Sequence, residues 1–247
     1  MLLSAAAVYG VANSTVFEVA RIRLEGATFT DENAVVAVVE GARGRNLFSL
    51  VAAPFEAEVR KLPTVRSADV GARLPDTLVV RVTERDPVLI WQVGQRRYLV
   101  DGDGSLFALL GDIPPEVTSG LPVVEDQRAA SVGLSIGRTL DPVDLDAATR
   151  LASLAPTDVG SAARALAVVV NDANGFVLRT KPATWQAVFG FYTPTLRTPE
   201  LVPGQVRLLR SLLVGREPLV EKIILASDTD GTYTTRPTPR PSATAAP

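Results

Sequence analysis

Hydrophobic and polar positions alternate most clearly in Leu78–Glu84, where Leu78, Val80 and Val82 are interleaved with Val79, Arg81 and Thr83. A period of two predicts a half-buried strand with Leu78, Val80 and Val82 facing inward. Val65–Arg73 predicts the strand before it, and Leu74-Pro75-Asp76-Thr77 the connecting turn, because proline fixes φ and aspartate bonds its own backbone. The polar run Glu84-Arg85-Asp86 followed by Pro87 ends the pairing and releases the chain into a new unit.

Upstream, Phe17–Glu25 predicts a strand with Ile22 and Leu24 inward and Arg21, Arg23 and Glu25 outward, stopped by Gly26. Thr30 is the predicted N-cap of a helix through Val39, with Asp31 and Glu32 at its positive end and Gly41 closing it. The valines of this segment favour strand by propensity, so packing must decide it. Gly41–Leu50 reads as a loop that inserts Leu47 and Phe48. A second helix begins at Pro54; Phe55, Val59 and Leu62 share one face, Glu56 and Arg60 are spaced to pair, and Pro63 ends it. The order to Glu84 is strand, helix, helix, strand, strand.

Beyond Pro87 the pattern changes to short strands: Val88–Val93, Arg97–Val100, Leu106–Ala108, Leu121–Val124, Ala165–Val170, Phe176–Thr180, Trp185–Phe191 and Leu219–Ala226. Two helices interrupt them. Asp141 caps the first, with Leu145, Ala148 and Leu151 or Ala152 on its apolar face; the second spans Pro203–Val214, with Val206, Leu209 or Leu208, and Leu213 or Leu212 on one side. From Asp228 the chain is rich in Thr, Pro, Ala and Ser, and Thr235–Pro247 is expected to be disordered. Met1–Ala12 is apolar and uncharged, but as a helix it would span about 18 Å of a hydrocarbon core of about 30 Å. It reads as an apolar N-terminus, an atypical signal segment, or the outer end of a transmembrane helix whose start is missing; the last reading is preferred.

Composition narrows the chemistry. The 247 residues contain no His and no Cys, removing the commonest general base, the commonest metal ligand and all thiolate chemistry. A net charge of −2 without a basic stripe argues against nucleic acid. Asp101-Gly102-Asp103-Gly104-Ser105 fails the calcium-loop pattern, which needs Gly sixth and Glu twelfth where Leu106 and Asp112 stand, and reads as a hairpin turn. No phosphate-binding loop, dinucleotide fingerprint or nucleophile elbow occurs. No catalytic residue, cofactor or metal site is assigned.

Five segments in register carry a resemblance: Val19–Gly26 (V-x-x-I-x-L-x-G), Gly44–Leu50 (GRNLFSL), Leu62–Val70 (L-P-x-V-x-x-A-x-V), Arg73–Val88 (R-L-P-x-T-L-V-V-R-V-x-E-R-x-P-V) and Tyr98–Phe107 (Y-L-V-D-x-x-G-x-L-F). Together they resemble the FtsQ/DivIB bacterial cell-division proteins, strongly over 17–125 and more weakly over 126–226. The resemblance implies an α+β chain: residues 1–16 as the remnant of a transmembrane segment, an N-terminal POTRA domain (β-α-α-β-β) at 17–86, a mostly antiparallel β domain with two helices at 87–227, and a disordered Pro/Thr-rich tail at 228–247. It implies a single-pass type II protein of the cell membrane, extracytoplasmic in bulk and placed at the division septum. It also implies a non-enzymatic divisome scaffold that binds FtsB/DivIC and FtsL and acts on the septal peptidoglycan machinery. In that family the partner adds a strand to the last strand of the β domain, which here places the contact at Ile223, Ile224, Leu225, Ser227, Thr229, Gly231 and Tyr233. No nucleic acid or small-molecule substrate is expected. The alternative reading is a POTRA-bearing outer-membrane assembly or secretion factor, which calls for repeated POTRA units or a barrel.

Overall fold

A computed structural model describes residues 14–236. The expected membrane segment up to Asn13 and the tail from 237 on lie outside the described residues. The chain divides into two compact units: one runs to Pro87 and includes Leu106–Ser119, the other comprises Val88–Ser105 and the chain from Gly120 onward. Where a single boundary near Thr83–Pro87 was expected, residues 106–119 therefore group with the first unit; Phe107 stacks on Phe29 there, ring centroids 6.3 Å apart.

The first unit has the expected order: β1 (Arg21–Glu25), α1 (Glu32–Val39), α2 (Ala53–Val59), β2 (Val65–Arg73) and β3 (Thr77–Glu84). Its sheet runs β1-β3-β2, with β1 parallel and β2 antiparallel to β3. Leu78, Val80 and Val82 enter the core with Val35, Val39 and Val59. Val35 and Val39 lie one helical turn apart, so burying that face overrides the strand propensity of the valines.

Several local expectations change for reasons visible in the packing. Asp31, not Thr30, is the N-cap: its side chain accepts from the Asn33 N–H. Thr30 is drawn away because its hydroxyl bonds Thr64 Oγ1 at 3.0 Å and its N–H donates to Glu84 at 2.6 Å. Glu56 accepts from the Val70 N–H at 3.2 Å, tying α2 to β2 where a bond to Arg60 was expected. Gly41 lies in a 3₁₀ turn, and Gly44, at φ +72°, is the left-handed residue of this loop. Leu47 is inserted, but Phe48 remains exposed against the edge of Phe17. Val79, on the outer face, is only 1% exposed. Its in-register neighbours are Arg23 and Gly71, and the guanidiniums of Arg73 and Arg81 both reach Glu25 on this face, so arginine stems cover it.

The corner residue Glu84 holds the turn into α1. Its carboxylate accepts from the N–H groups of Thr28, Phe29 and Thr30 at 2.9, 3.0 and 2.6 Å. Partial burial pushes its pKa up, but the bonds from Thr30, Phe29 and Thr28 outweigh this and hold it below the usual carboxylate range. A depressed folded pKa means that this stabilisation is present above the unfolded pKa and fades as pH falls through the folded one. Glu84→Ala is expected to cost about 1–2 kcal/mol at neutral pH, with water replacing part of the lost bonding. The gap between the melting curves of parent and variant should close on acidification; a gap independent of pH would show that the carboxylate charge is not what holds the turn.

In the second unit the strands are β4 (Pro87–Val93), β5 (Arg96–Asp101), β7 (Val123–Asp126), β8 (Ala165–Asn171), β9 (Gly175–Lys181), β10 (Gln186–Gly190), β11 (Val220–Leu225) and β12 (Gly231–Thr235); β6 is Leu106–Leu109. Their order is β12-β11-β10-β9-β8-β7-β4-β5. Within the expected α+β class, β10/β11, β4/β7 and β7/β8 pair parallel, while β8/β9, β9/β10 and β11/β12 pair antiparallel. The unit's helices are α4 (Pro142–Ala152) and α5 (Val202–Leu213); α3 (Pro115–Thr118), like β6, lies in the 106–119 segment of the first unit. Asp141 caps α4 as expected, and the buried face of α5 resolves to Val202, Gln205, Leu209 and Leu213. Asp101 makes the expected turn, its Oδ1 accepting from the N–H groups of Asp103 and Ser105.

A polar knot closes the end of β7. Asp126 is buried, and its carboxylate accepts from Trp91 Nε1 at 3.1 Å, Ser131 Oγ at 2.5 Å, the Arg128 N–H at 3.0 Å, and Arg128 Nε and Nη2 at 3.0 and 2.8 Å. Arg128 also reaches Asp144 on α4 at 2.6 Å and lies 5.9 Å from the Trp91 ring. Burial pushes the Asp126 carboxyl up, but its bonds from Arg128 and Ser131 bring it below the usual range. The carboxylate is saturated by donors from β4, the β7 end and the following turn, which makes the knot a structural tie.

Candidate functional site: the last strand edge

The last two strands form an antiparallel hairpin in which Ile223 faces Tyr233, Ile224 faces Thr232 and Leu225 faces Gly231. The expected tail thus contributes a strand: Gly231–Thr235 is β12, and residues from 231 are paired where disorder was expected from 228. The reason is non-local. Polar, Thr-rich β12 cannot order itself by burial, but β11 offers it a ladder, and Arg236 ties its end with an N–H to Leu219 O (2.9 Å) and a guanidinium bond to Thr184 O (2.5 Å).

This pairing relocates the edge. Leu219–Ala226 was expected to be terminal, yet β11 has β10 on one side and β12 on the other. In the sheet order only β11 adjoins β12, so the N–H and C=O groups on the opposite side of β12 are the open row. Of the expected contact residues, Ile223 and Leu225 are core, held beneath the hairpin. Ile224 is 45% and Tyr233 43% exposed. Ser227 and Thr229 build the turn: Ser227 Oγ accepts from the N–H groups of Thr229 and Asp230 at 3.2 and 2.9 Å. Gly231 sits close to α5, where an added Cβ would meet Leu208 Cδ2 and Ile224 O at 3.2 Å.

The hairpin is seated by residues that the sequence reading did not single out. Arg197 donates to Phe189 O at 2.7 Å, to Leu225 O at 2.8 Å and to Ala226 O. Gln205, fully buried on α5, donates to the same Phe189 and Leu225 carbonyls at 3.2 and 3.3 Å and accepts from Tyr192 Oη at 2.7 Å. These side chains cap the carbonyls at the ends of parallel strands β10 and β11, where the ladder stops and the backbone acceptors would otherwise be unpaired. Burial raises the Tyr192 pKa, with Arg197 opposing, so the phenol remains a protonated donor. On α5, Gly204 permits the turn to approach: a Cβ there would lie 2.4 Å from Asp228 Cβ. A glycine beside Pro203 at the start of a helix is the local signal for such a contact; Arg197, in an irregular loop, offers none.

Among the described residues no group of acidic side chains is placed to hold a metal ion, and no helix is long and apolar enough to cross a membrane. The site's resources are backbone edge groups, the exposed apolar side chains of Ile224 and Tyr233, and a hydrogen-bonded seat.

The family description "POTRA domain, FtsQ-type" matches residues 17–85, the unit built from β1, α1, α2, β2 and β3. Among curated proteins the chain is similar to Cell division protein FtsQ of Rickettsia prowazekii, 27% identical over 108 residues, covering 44% of this chain and 40% of that protein. It is 32% identical to FtsQ of Koribacter versatilis over 162 residues, 64% of this chain and 46% of that protein. It is 33% identical to FtsQ of Streptomyces venezuelae over 118 residues, 47% and 44% of the two chains. The chain thus spans less than half the length of each of these relatives. Residues 17–85 are thus an FtsQ-type POTRA domain, and the chain around it is similar to bacterial cell-division proteins named FtsQ.

Proposed function

We propose that the chain is a non-enzymatic scaffold of the division machinery that receives a β-strand of an FtsB/DivIC-type partner along the open side of β12, with FtsL in the same assembly. On this reading it is anchored in the cell membrane by its N-terminal apolar segment, works outside the cytoplasm at the septum, and recruits or regulates the septal peptidoglycan machinery. The observation that carries the reading is the position of β12 at the end of the sheet order, exposed and braced from behind by β11 and the Arg197–Gln205 clamp. Backbone pairing recruits an extended segment without a deep pocket, and Ile224 and Tyr233 offer side-chain contacts beside it.

The test uses two neighbouring substitutions in the full chain, Thr232→Pro and Tyr233→Pro. Adjacent N–H groups on a strand point to opposite edges, so one proline removes an outward donor and the other strikes the β11/β12 ladder. The outward one should weaken capture of the FtsB/DivIC-type partner at least about tenfold while leaving the melting temperature near the parent's. Parent-like capture by both variants, with the fold intact by circular dichroism, would overturn the reading.

A further inference from the structure

On the outer face of the POTRA sheet, an open pocket of about 520 Å³ is lined by Arg21, Arg23, Arg43 and Arg73, with Ala20 and Leu74 beside them and no acidic residue. Each guanidinium is steered from one side by a carboxylate: Arg21 by Asp76 at 2.5 Å, Arg23 and Arg73 by Glu25 at 3.5 and 3.1 Å, and Arg43 by Glu40 at 2.6 Å. Four cations face three anions in this set. A guanidinium carries five N–H donors and these bridges use one or two of them, so donors remain for a further anion.

Close by is a second feature that the strand edge does not use. Val16, Phe48 and Val51 are exposed, and Phe48 rests edge-on against Phe17 at 5.0 Å. A short antiparallel ladder joins it to the arginines. Val19 N–H donates to Arg45 O at 2.9 Å, Gly44 N–H to Val19 O at 3.1 Å, and Leu47 N–H to Phe17 O at 2.8 Å. Arg43 stands at one end of the ladder, its Nη1 on Ala20 O at 2.8 Å, and Phe48 stands at the other. The two are five positions apart in the same loop. Val16 also follows the apolar run Met1–Ala12 after only three residues.

Cationic side chains beside exposed aromatic and aliphatic ones match the two layers of a membrane surface, phosphates above and the acyl boundary below. An acidic protein segment would satisfy the arginines but leave Val16, Phe48 and Val51 in water. We propose that this face of the POTRA unit docks on an anionic phospholipid surface, with Arg21, Arg23, Arg43 and Arg73 taking lipid phosphates and Phe48 and Val51 entering the interface. The inference rests on the reading that the chain works at a membrane.

The experiment places a reporter on the face itself: Phe48→Trp in the full chain, titrated with vesicles of phosphatidylcholine alone or of equal parts phosphatidylcholine and phosphatidylglycerol. Trp91 and Trp185 are buried and supply a constant background. The expected result is a blue shift, with quenching by brominated acyl chains, on the anionic vesicles only and weakened by salt. Adding Arg23→Gln and Arg73→Gln should weaken that response about 25-fold, roughly fivefold per arginine. An equal response on both vesicle types, or an unchanged response in the arginine variant, overturns the proposal. A response to inorganic phosphate or polyglutamate without one to vesicles also overturns it, by assigning the pocket to a soluble anion or an acidic segment. Flotation with neutral vesicles reads the anchor separately: flotation with a silent reporter keeps the anchor and removes the docking face, and a responding reporter without such flotation does the reverse.

Discussion

Replacing Asp126 by alanine is expected to destabilise the second unit by about 3–5 kcal/mol, the range found when one partner of a buried ion pair is removed. The carboxylate is 2% exposed and collects bonds from Trp91, Arg128 and Ser131. Its removal leaves a half-buried guanidinium with Asp144 as its remaining carboxylate, and orphans the indole N–H of a fully buried tryptophan. At roughly 2–4 °C per kcal/mol for a chain of this size, the melting temperature should fall by about 10 °C. Asp126→Asn keeps the shape and part of the bonding and should fall between the two. Arg128→Met is the sharper control: alone it leaves Asp126 charged and buried, whereas combined with Asp126→Leu it removes both charges and should recover much of the loss. Melting by circular dichroism reads all four variants. A single-variant loss below about 1 kcal/mol would show that water enters and that the knot is not a tie.

Arg197→Ala is expected to loosen the β11/β12 hairpin and, with it, capture of the strand partner. Three carbonyls, those of Phe189, Leu225 and Ala226, lose a charged donor, and Gln205 still reaches the first two. A hydrogen bond to a charged group contributes roughly 1.5–3 kcal/mol, and these bonds share one side chain, so the loss should be about 2–4 kcal/mol rather than their sum. The local readout is hydrogen exchange at the amides of β11 and β12, which should accelerate while the first unit keeps its protection. Arg197→Lys should recover part of the effect, because an ammonium reaches fewer of the three acceptors than a planar fork does. Unchanged exchange in β12 after Arg197→Ala would mean that the hairpin is held by its own ladder and Arg236 alone.

Legibility from sequence followed the range of the forces involved. The β2–β3 hairpin and the strand-helix-helix-strand-strand order were readable because alternation, proline and short polar residues act within a few positions. The cap at Asp31 was missed by one residue because Thr30 is claimed by Thr64 and Glu84, more than thirty positions away. Glu56 was assigned to its own helix and went instead to Val70. Val79 carried no signal for burial on an outer face, since arginines from adjacent strands cover it. At the candidate site, Ile224 and Tyr233 were anticipated at an exposed edge, whereas Arg197 and Gln205 act on backbone carbonyls of other segments and Gly204 leaves room for Asp228.

By itself, then, the sequence determined the order of elements in the first unit, the inward face of β3, the lack of His and Cys chemistry, and the motifs shared with the FtsQ/DivIB proteins. The tertiary structure alone decided that the sheet of the second unit is mixed, that β11 is interior, and that Gly231–Thr235 is a strand and the open edge. A Thr-rich segment with little apolar area has no periodicity from which its state can be read. Its order comes from the neighbour that accepts its hydrogen bonds and from an arginine that holds the end of that neighbour in place.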